Sequence, residues 1–135
     1  MLLQISTQNL YLTQMQIIEI LKNAGVVAIT AFSQMSGIQD STKNGKPAII
    51  NAYSEHCGYS HQMASEYANY VPMNDSKIAF YGVDVNNVDG VTDRYEIRGV
   101  PVFIGFACGE QVGRVDGADK TGLSQLMTNL GDKKC

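Results

Sequence analysis

The eight residues PAIINAYS, 47–54, are almost wholly apolar on both alternating faces, the pattern of a strand covered on two sides. At Cys57 the period changes. Met63, Ala64, Tyr67, Ala68 and Val71 recur at helical spacing, and the helix is expected to stop before Pro72. A buried central strand that turns into a helix within a few residues constrains the chain to alternating β and α units. KIAFYGVDV (77–85) reads as another buried strand, and VVAITAF (26–32) as a third.

The other elements fill in around these. LTQMQIIEILKNAG has apolar Met15, Ile18 and Leu21 at helical intervals, capping-box spacing between Thr13 and Gln16, and Gly25 to end the helix. SQMSGIQDSTKNGK reads as a weak helix or loop closing in a turn at Asn44-Gly45. VTDRYEIRG reads as a short helix. VPVFIGFA and VGRVDG form a hairpin around CGEQ. Asp119 can cap a last helix whose inner stripe is Leu123, Leu126, Met127 and Leu130. The expected order is α-β-α-β-α-β-α-β-β-α, a single α/β domain with a mixed sheet between helices. Residues 1–25 read as a helical extension packed on the domain, 26–131 as the domain itself, and 132–135 as a tail.

Composition excludes several function classes. With 135 residues, 44% hydrophobic and 17% charged, the chain suits one globular domain rather than a disordered or fibrous protein. The net charge is −3, and the only basic pair is Lys133-Lys134, so the footprint that phosphate binding needs is missing and no nucleic acid partner is expected. MLLQISTQNL has neither a basic start nor a long apolar run, so no membrane span or secretory leader is expected. Three cysteines, at 57, 108 and 135, make a poor disulfide framework and fit a reducing, cytoplasmic setting.

The chemistry concentrates in SEHCGYSH, 54–61. Cys57 lies where a strand gives way to a helix, so unpaired N–H groups and the positive end of the helix dipole face its sulfur. His56 beside it and His61 one turn on could add positive charge when protonated. A thiolate so placed attacks disulfides, and a mixed disulfide forms without a second cysteine. Cys108, at the far end of the strand beginning at Pro101, is about 20 Å away along that strand, beyond the roughly 7 Å a disulfide tolerates. It reads as a buried, inert thiol. Cys135, on the tail, suits pairing between molecules. Cys57 and His61 are also good zinc or copper ligands, but two ligands do not fill a tetrahedral site, so no metal is expected.

From Pro47 to about Leu130 the chain resembles the thioredoxin family. The residues that carry the resemblance are AIINAYSEHC running into CGYS, the VDV closing a central strand, RYEIRGVP, and FIGFACGEQVGRVDGAD, in the right order and natural spacing. The resemblance implies a thioredoxin-like fold, a cis-proline at Pro101 beside the active cysteine, and Val100 offering backbone groups to an extended substrate. Tyr59 and Tyr53 would line the same surface. Three departures stand out. The family's second cysteine is Ser60, which would take that catalytic position beside Cys57, its buried acid is Asn51, which would tune the thiol, and its usual lysine before VDV is Gly82. In the family that acid serves the second cysteine, so the losses fit one another and imply exchange by Cys57 alone. Release then requires an outside thiol, with glutathione as a possible co-substrate and disulfide-containing proteins as substrates.

Other readings compete. The chain could be a redox-silent adaptor that binds a protein partner around Tyr53, Tyr59 and Pro101, since one fold hosts many functions. Ser60 could be an engineered replacement in a dithiol oxidoreductase, although such a change alone would have left Asp at 51. Ser60 could also be a plain helix N-terminal hydroxyl, and Asn51 a structural amide that must find hydrogen-bond partners. CGYS is similar to the CGFS of monothiol glutaredoxins, which share an iron–sulfur cluster through glutathione, but the flanking residues resemble thioredoxin.

Overall fold

The computed structural model describes residues 15–135. In chain order the elements are α1 (Ile17–Ala24), β1 (Val27–Ala28), α2 (Gln34–Ser41), β2 (Ala48–Tyr53), α3 (Gly58–Asn69), α4 (Val71–Asn74), β3 (Ala79–Asp84), α5 (Val91–Arg94), β4 (Val102–Ala107), β5 (Glu110–Asp116) and α6 (Lys120–Gly131). The strands form one mixed sheet ordered β1-β3-β2-β4-β5. β1 and β2 both run parallel to β3, while β4 is antiparallel to its neighbours β2 and β5.

Every residue of β2 is buried, because helices cover both faces of the sheet. Ile49 and Tyr53 join Leu21, Met63, Tyr67, Phe103, Leu123 and Leu130 in one core. Ala48, Ile50 and Ala52, alternating with them, join Met35, Ile38, Val91, Tyr95 and Phe106 in the other. Tyr67 anchors the first core to the sheet. Its hydroxyl lies 3.1 Å from the Ile49 carbonyl and 2.7 Å from that of Tyr81.

The element order matches the expected one, with an added short helix at Val71–Asn74 whose first turn holds Pro72, where a missing N–H costs nothing. The run VVAITAF yields only a two-residue strand. The Gln34 side chain accepts the N–H groups of Thr30 (2.7 Å) and Ala31 (3.0 Å) and turns the chain into α2. At α1, Gly25 ends the helix with a left-handed φ of 96°. Thr13, the expected cap, lies outside the described residues. The helix starts at Ile17, and the Glu55 carboxylate accepts the N–H groups of Ile17 (2.8 Å) and Ile18 (3.0 Å). No helix among the described residues is long and apolar enough to cross a membrane.

The cysteine reading is corrected. Cys108 and Cys135 form an intramolecular disulfide, with α-carbons 5.4 Å apart. Cys108 is an exposed turn residue, not a buried thiol, and Cys135 pairs within its own chain rather than between molecules. β5 brings the chain back to the Cys57 end of the sheet. α6, which follows it, then runs to the opposite end and delivers its tail to the β4–β5 turn, a return that residue spacing does not reveal. The argument from cysteine usage for a reducing compartment falls with this pair.

Candidate active site

The segment from 54 to 61 leaves the carboxyl end of β2, beside the carboxyl end of β3 and the start of β4, where open α/β sheets place their sites. Ser54 organises it. Its carbonyl accepts the Cys57 N–H (3.1 Å) and its hydroxyl accepts the His56 N–H (3.2 Å) and an Asn86 amide N–H (2.6 Å). Its own N–H donates to the Ser60 hydroxyl (3.2 Å). These bonds fix Cys57 as the residue capping α3, with extended backbone angles of φ −109° and ψ 121°.

Cys57 is half-buried and unpaired. Its sulfur donates to the Val100 carbonyl at 3.3 Å, and the Val100–Pro101 peptide bond is cis. Arg114 holds the segment before this bond. Its guanidinium donates to the carbonyls of Tyr95 and Glu96 and pairs with the Asp116 carboxylate at 3.0 Å. The Pro101 carbonyl accepts the Gly117 N–H at 2.7 Å. A thiol at a helix mouth, braced against a fixed proline turn, can attack a disulfide sulfur that approaches from solvent.

The other expected site residues divide. Tyr59 is 65% exposed and His56 is exposed, both close to the thiol in the chain. His61 turns toward Glu55, its Nε2 2.8 Å from the Glu55 carbonyl and 3.7 Å from the carboxylate. Positive charge on His61 therefore meets a carboxylate partner first. Three expectations are corrected. Tyr53 is only 2% exposed and lies under α1, beside Ile18, Leu21 and Val26, so it forms no part of a substrate surface. Burial, with the carboxylates of Asp84 and Glu55 nearby, holds its phenol well above the ordinary tyrosine range. Ser60 is fully buried, and its hydroxyl receives the Ser54 N–H, so it positions the loop and does not meet substrate. Asn51 is fully buried, and neither amide atom has a hydrogen-bond partner among the described residues.

Gly82 also has its own reason. A Cβ there would stand 2.8 Å from the Leu21 side chain, so the glycine makes room for α1. Ser54, Glu55, Asn86 and Arg114 were not singled out from sequence. The pairing of Ser54 with Asn86 follows only once β2 and β3 are known to be parallel neighbours, with Tyr53 opposite Asp84. No group of three or more His, Cys, Asp or Glu side chains that could hold a metal occurs among the described residues.

Comparison with known proteins places this geometry. The family model described as Thioredoxin matches residues 25–129. Thioredoxin H4-1 of Oryza sativa subsp. japonica is 30% identical over 95 residues, covering 70% of this chain and 72% of that protein. Thioredoxin-1 of Drosophila melanogaster is 26% identical over 85 residues, covering 63% and 79%. Among solved structures, Plasmodium falciparum thioredoxin superposes with a TM-score of 0.68 at 26% identity, over 77% of this chain and 98% of that one. The thioredoxin of Malassezia sympodialis gives 0.71 at 23% identity, over 79% and 91%, a likeness of fold. The chain belongs to the thioredoxin family of thiol–disulfide oxidoreductases.

Proposed function

We propose that this protein carries out thiol–disulfide exchange with Cys57 as its one active-site thiol. The observation that carries the reading is the pairing of a half-buried Cys57 sulfur, 3.3 Å from the Val100 carbonyl, with a fully buried Ser60 at the position of a second thiol. The Cys57 thiolate attacks one sulfur of a protein or glutathione disulfide, a mixed disulfide forms, and the other sulfur leaves as a thiolate. No cysteine three residues on can close a ring, so an external thiol attacks the mixed disulfide and restores Cys57. Glutathione is a fitting co-substrate. Val100 and Pro101 border the bound chain, and Tyr59 and His56 meet the substrate from the helix side.

The test couples reduction of a small mixed disulfide by glutathione to consumption of NADPH through glutathione reductase. Wild type is expected to turn over, the Cys57→Ser variant to fall to background, and the Cys108→Ser/Cys135→Ser variant to retain activity. Turnover that survives Cys57→Ser would overturn the assignment.

A further inference from the structure

The disulfide joining Cys108 to Cys135 lies at the opposite end of the sheet from Cys57. β2 and β4 run antiparallel with Ala48 opposite Phe106, so the turn at Cys108 sits at the start of β2 while Cys57 follows its end. The two ends are about 20 Å apart along the strand. Both paired cysteines are exposed.

The two halves of this pair are held differently. Cys108 belongs to a turn pinned to the end of α2. Its N–H donates to the Thr42 carbonyl (3.1 Å), the Gly109 N–H donates to the Thr42 hydroxyl (2.9 Å), and the Gln39 side chain donates to the Gly109 carbonyl (3.0 Å). α6 is held by its own buried Leu123, Leu126, Met127 and Leu130. Opening the bond therefore leaves Cys108 and α6 in place and releases only the last residues, since Asp132 and Lys133 still donate to the Thr128 and Leu130 carbonyls, both at 3.2 Å. Lys133 and Lys134 precede Cys135, and the Lys43 side chain, which pairs with Asp40 at 3.4 Å, crosses Gly109. Asp40, Glu110 and Asp132 balance these lysines, so exchange at this pair rests on the exposure of both cysteines.

We propose that Cys108 and Cys135 form a second thiol–disulfide centre whose dithiol form resolves the mixed disulfide on Cys57 of another copy of this chain. The proposal rests on Cys57 being the exchange nucleophile. Reaction within one chain is excluded by reach. α6 carries its end about 18 Å from the Cys57 end, and the two residues beyond Lys133 span at most about 7 Å, which falls short even with the roughly 7 Å between joined α-carbons added. Between copies the step balances. The Cys135 thiolate attacks the Cys57 sulfur and the substrate leaves as a thiolate if Cys57 stays bound, or Cys57 leaves if the substrate sulfur is struck. In the first course the Cys108 thiolate then attacks the Cys135 sulfur, which closes the pair and returns Cys57 as a thiolate. The substrate gains two electrons and the pair loses two. The disulfide in the structure is the spent form, recharged by an external dithiol reductant.

The experiment uses two variants. The Cys108→Ser/Cys135→Ser protein, with Cys57 its only thiol, is loaded with dithiobis-nitrobenzoate to leave the nitrobenzoate thiol on Cys57. The Cys57→Ser protein, its pair opened with dithiothreitol and then desalted, is added. Release of the yellow thiol several-fold faster than with N-acetylcysteine at equal thiol concentration, with the pair reoxidised by mass, is the expected result. A Cys57→Ser/Cys108→Ser acceptor should stall as a covalent two-chain adduct through Cys135. Release no faster than with the monothiol and no two-chain adduct would overturn the proposal, as would a bond that dithiothreitol cannot open in the folded protein. Failure of Cys57 to take the dye, a step that does not involve the pair, overturns the nucleophile reading instead.

Discussion

Leu21 occupies the space in which residue 82 would carry a side chain, its Cδ1 lying 2.8 Å from the position of a Cβ on Gly82. Glu55 accepts the first two N–H groups of the same helix, so α1 is tied to the sheet by packing and to the active-site loop by a carboxylate. The helix and the site are therefore physically linked. Gly82→Lys is expected to displace α1 and cost about 1–3 kcal/mol. Urea denaturation measures the loss, and hydrogen exchange should show it concentrated in residues 17–24. An unchanged midpoint would mean that the helix docks without needing the glycine.

Ser60 holds Ser54, and Ser54 in turn holds Cys57. A thiol at position 60 would occupy the first turn of α3 from Cys57, a separation that a disulfide can bridge. Under mild oxidation, the thiol introduced by Ser60→Cys is expected to close a disulfide with Cys57. The substitution should also raise dithiol-driven insulin reduction by an order of magnitude or more over wild type. Equal turnover in the two proteins would show that the wild type does not depend on a one-thiol cycle.

Asn51 is a buried amide without a partner among the described residues. Replacing such a group by an apolar one of similar shape relieves a penalty of about 1–3 kcal/mol. Asn51→Leu is expected to raise the thermal midpoint while the rate of Cys57 alkylation stays unchanged. A fall in stability would contradict this account of the site.

Alkaline pH should weaken the fold. Burial raises the phenols of Tyr53, Tyr67 and Tyr95 above their ordinary range, with carboxylates adding to it at Tyr53. The unfolded chain gives up tyrosine protons from about pH 10, while the folded chain keeps them to higher pH. Their stabilising contribution is thus complete below about pH 10 and is lost progressively above it. Denaturation midpoints measured across this range should fall, and Tyr53→Phe should make the fall shallower. An unaltered slope would show that Tyr53 ionises as freely in the folded chain as in the unfolded one.

Periodicity carried most of the fold. PAIINAYS, KIAFYGVDV and the stripe of Leu123, Leu126, Met127 and Leu130 became the buried elements that their patterns imply, because burial on a sheet or helix face leaves a regular imprint. The position of Cys57 was legible for the same reason, since the change of period marks the strand-to-helix junction. Tyr53 was misplaced because its strand register puts it beneath a helix lying outside the part of the chain that resembles the family. The Cys108–Cys135 bond was missed because it depends on where a turn and a distant tail meet in space.

The most direct test of the account is intact-mass and peptide-level mass spectrometry of the protein, with its Cys108–Cys135 bond closed, after incubation with oxidised glutathione. One glutathione on Cys57, retained until an outside thiol is added, is the predicted result. An unmodified Cys57, or an adduct that the same molecule removes unaided, would contradict it.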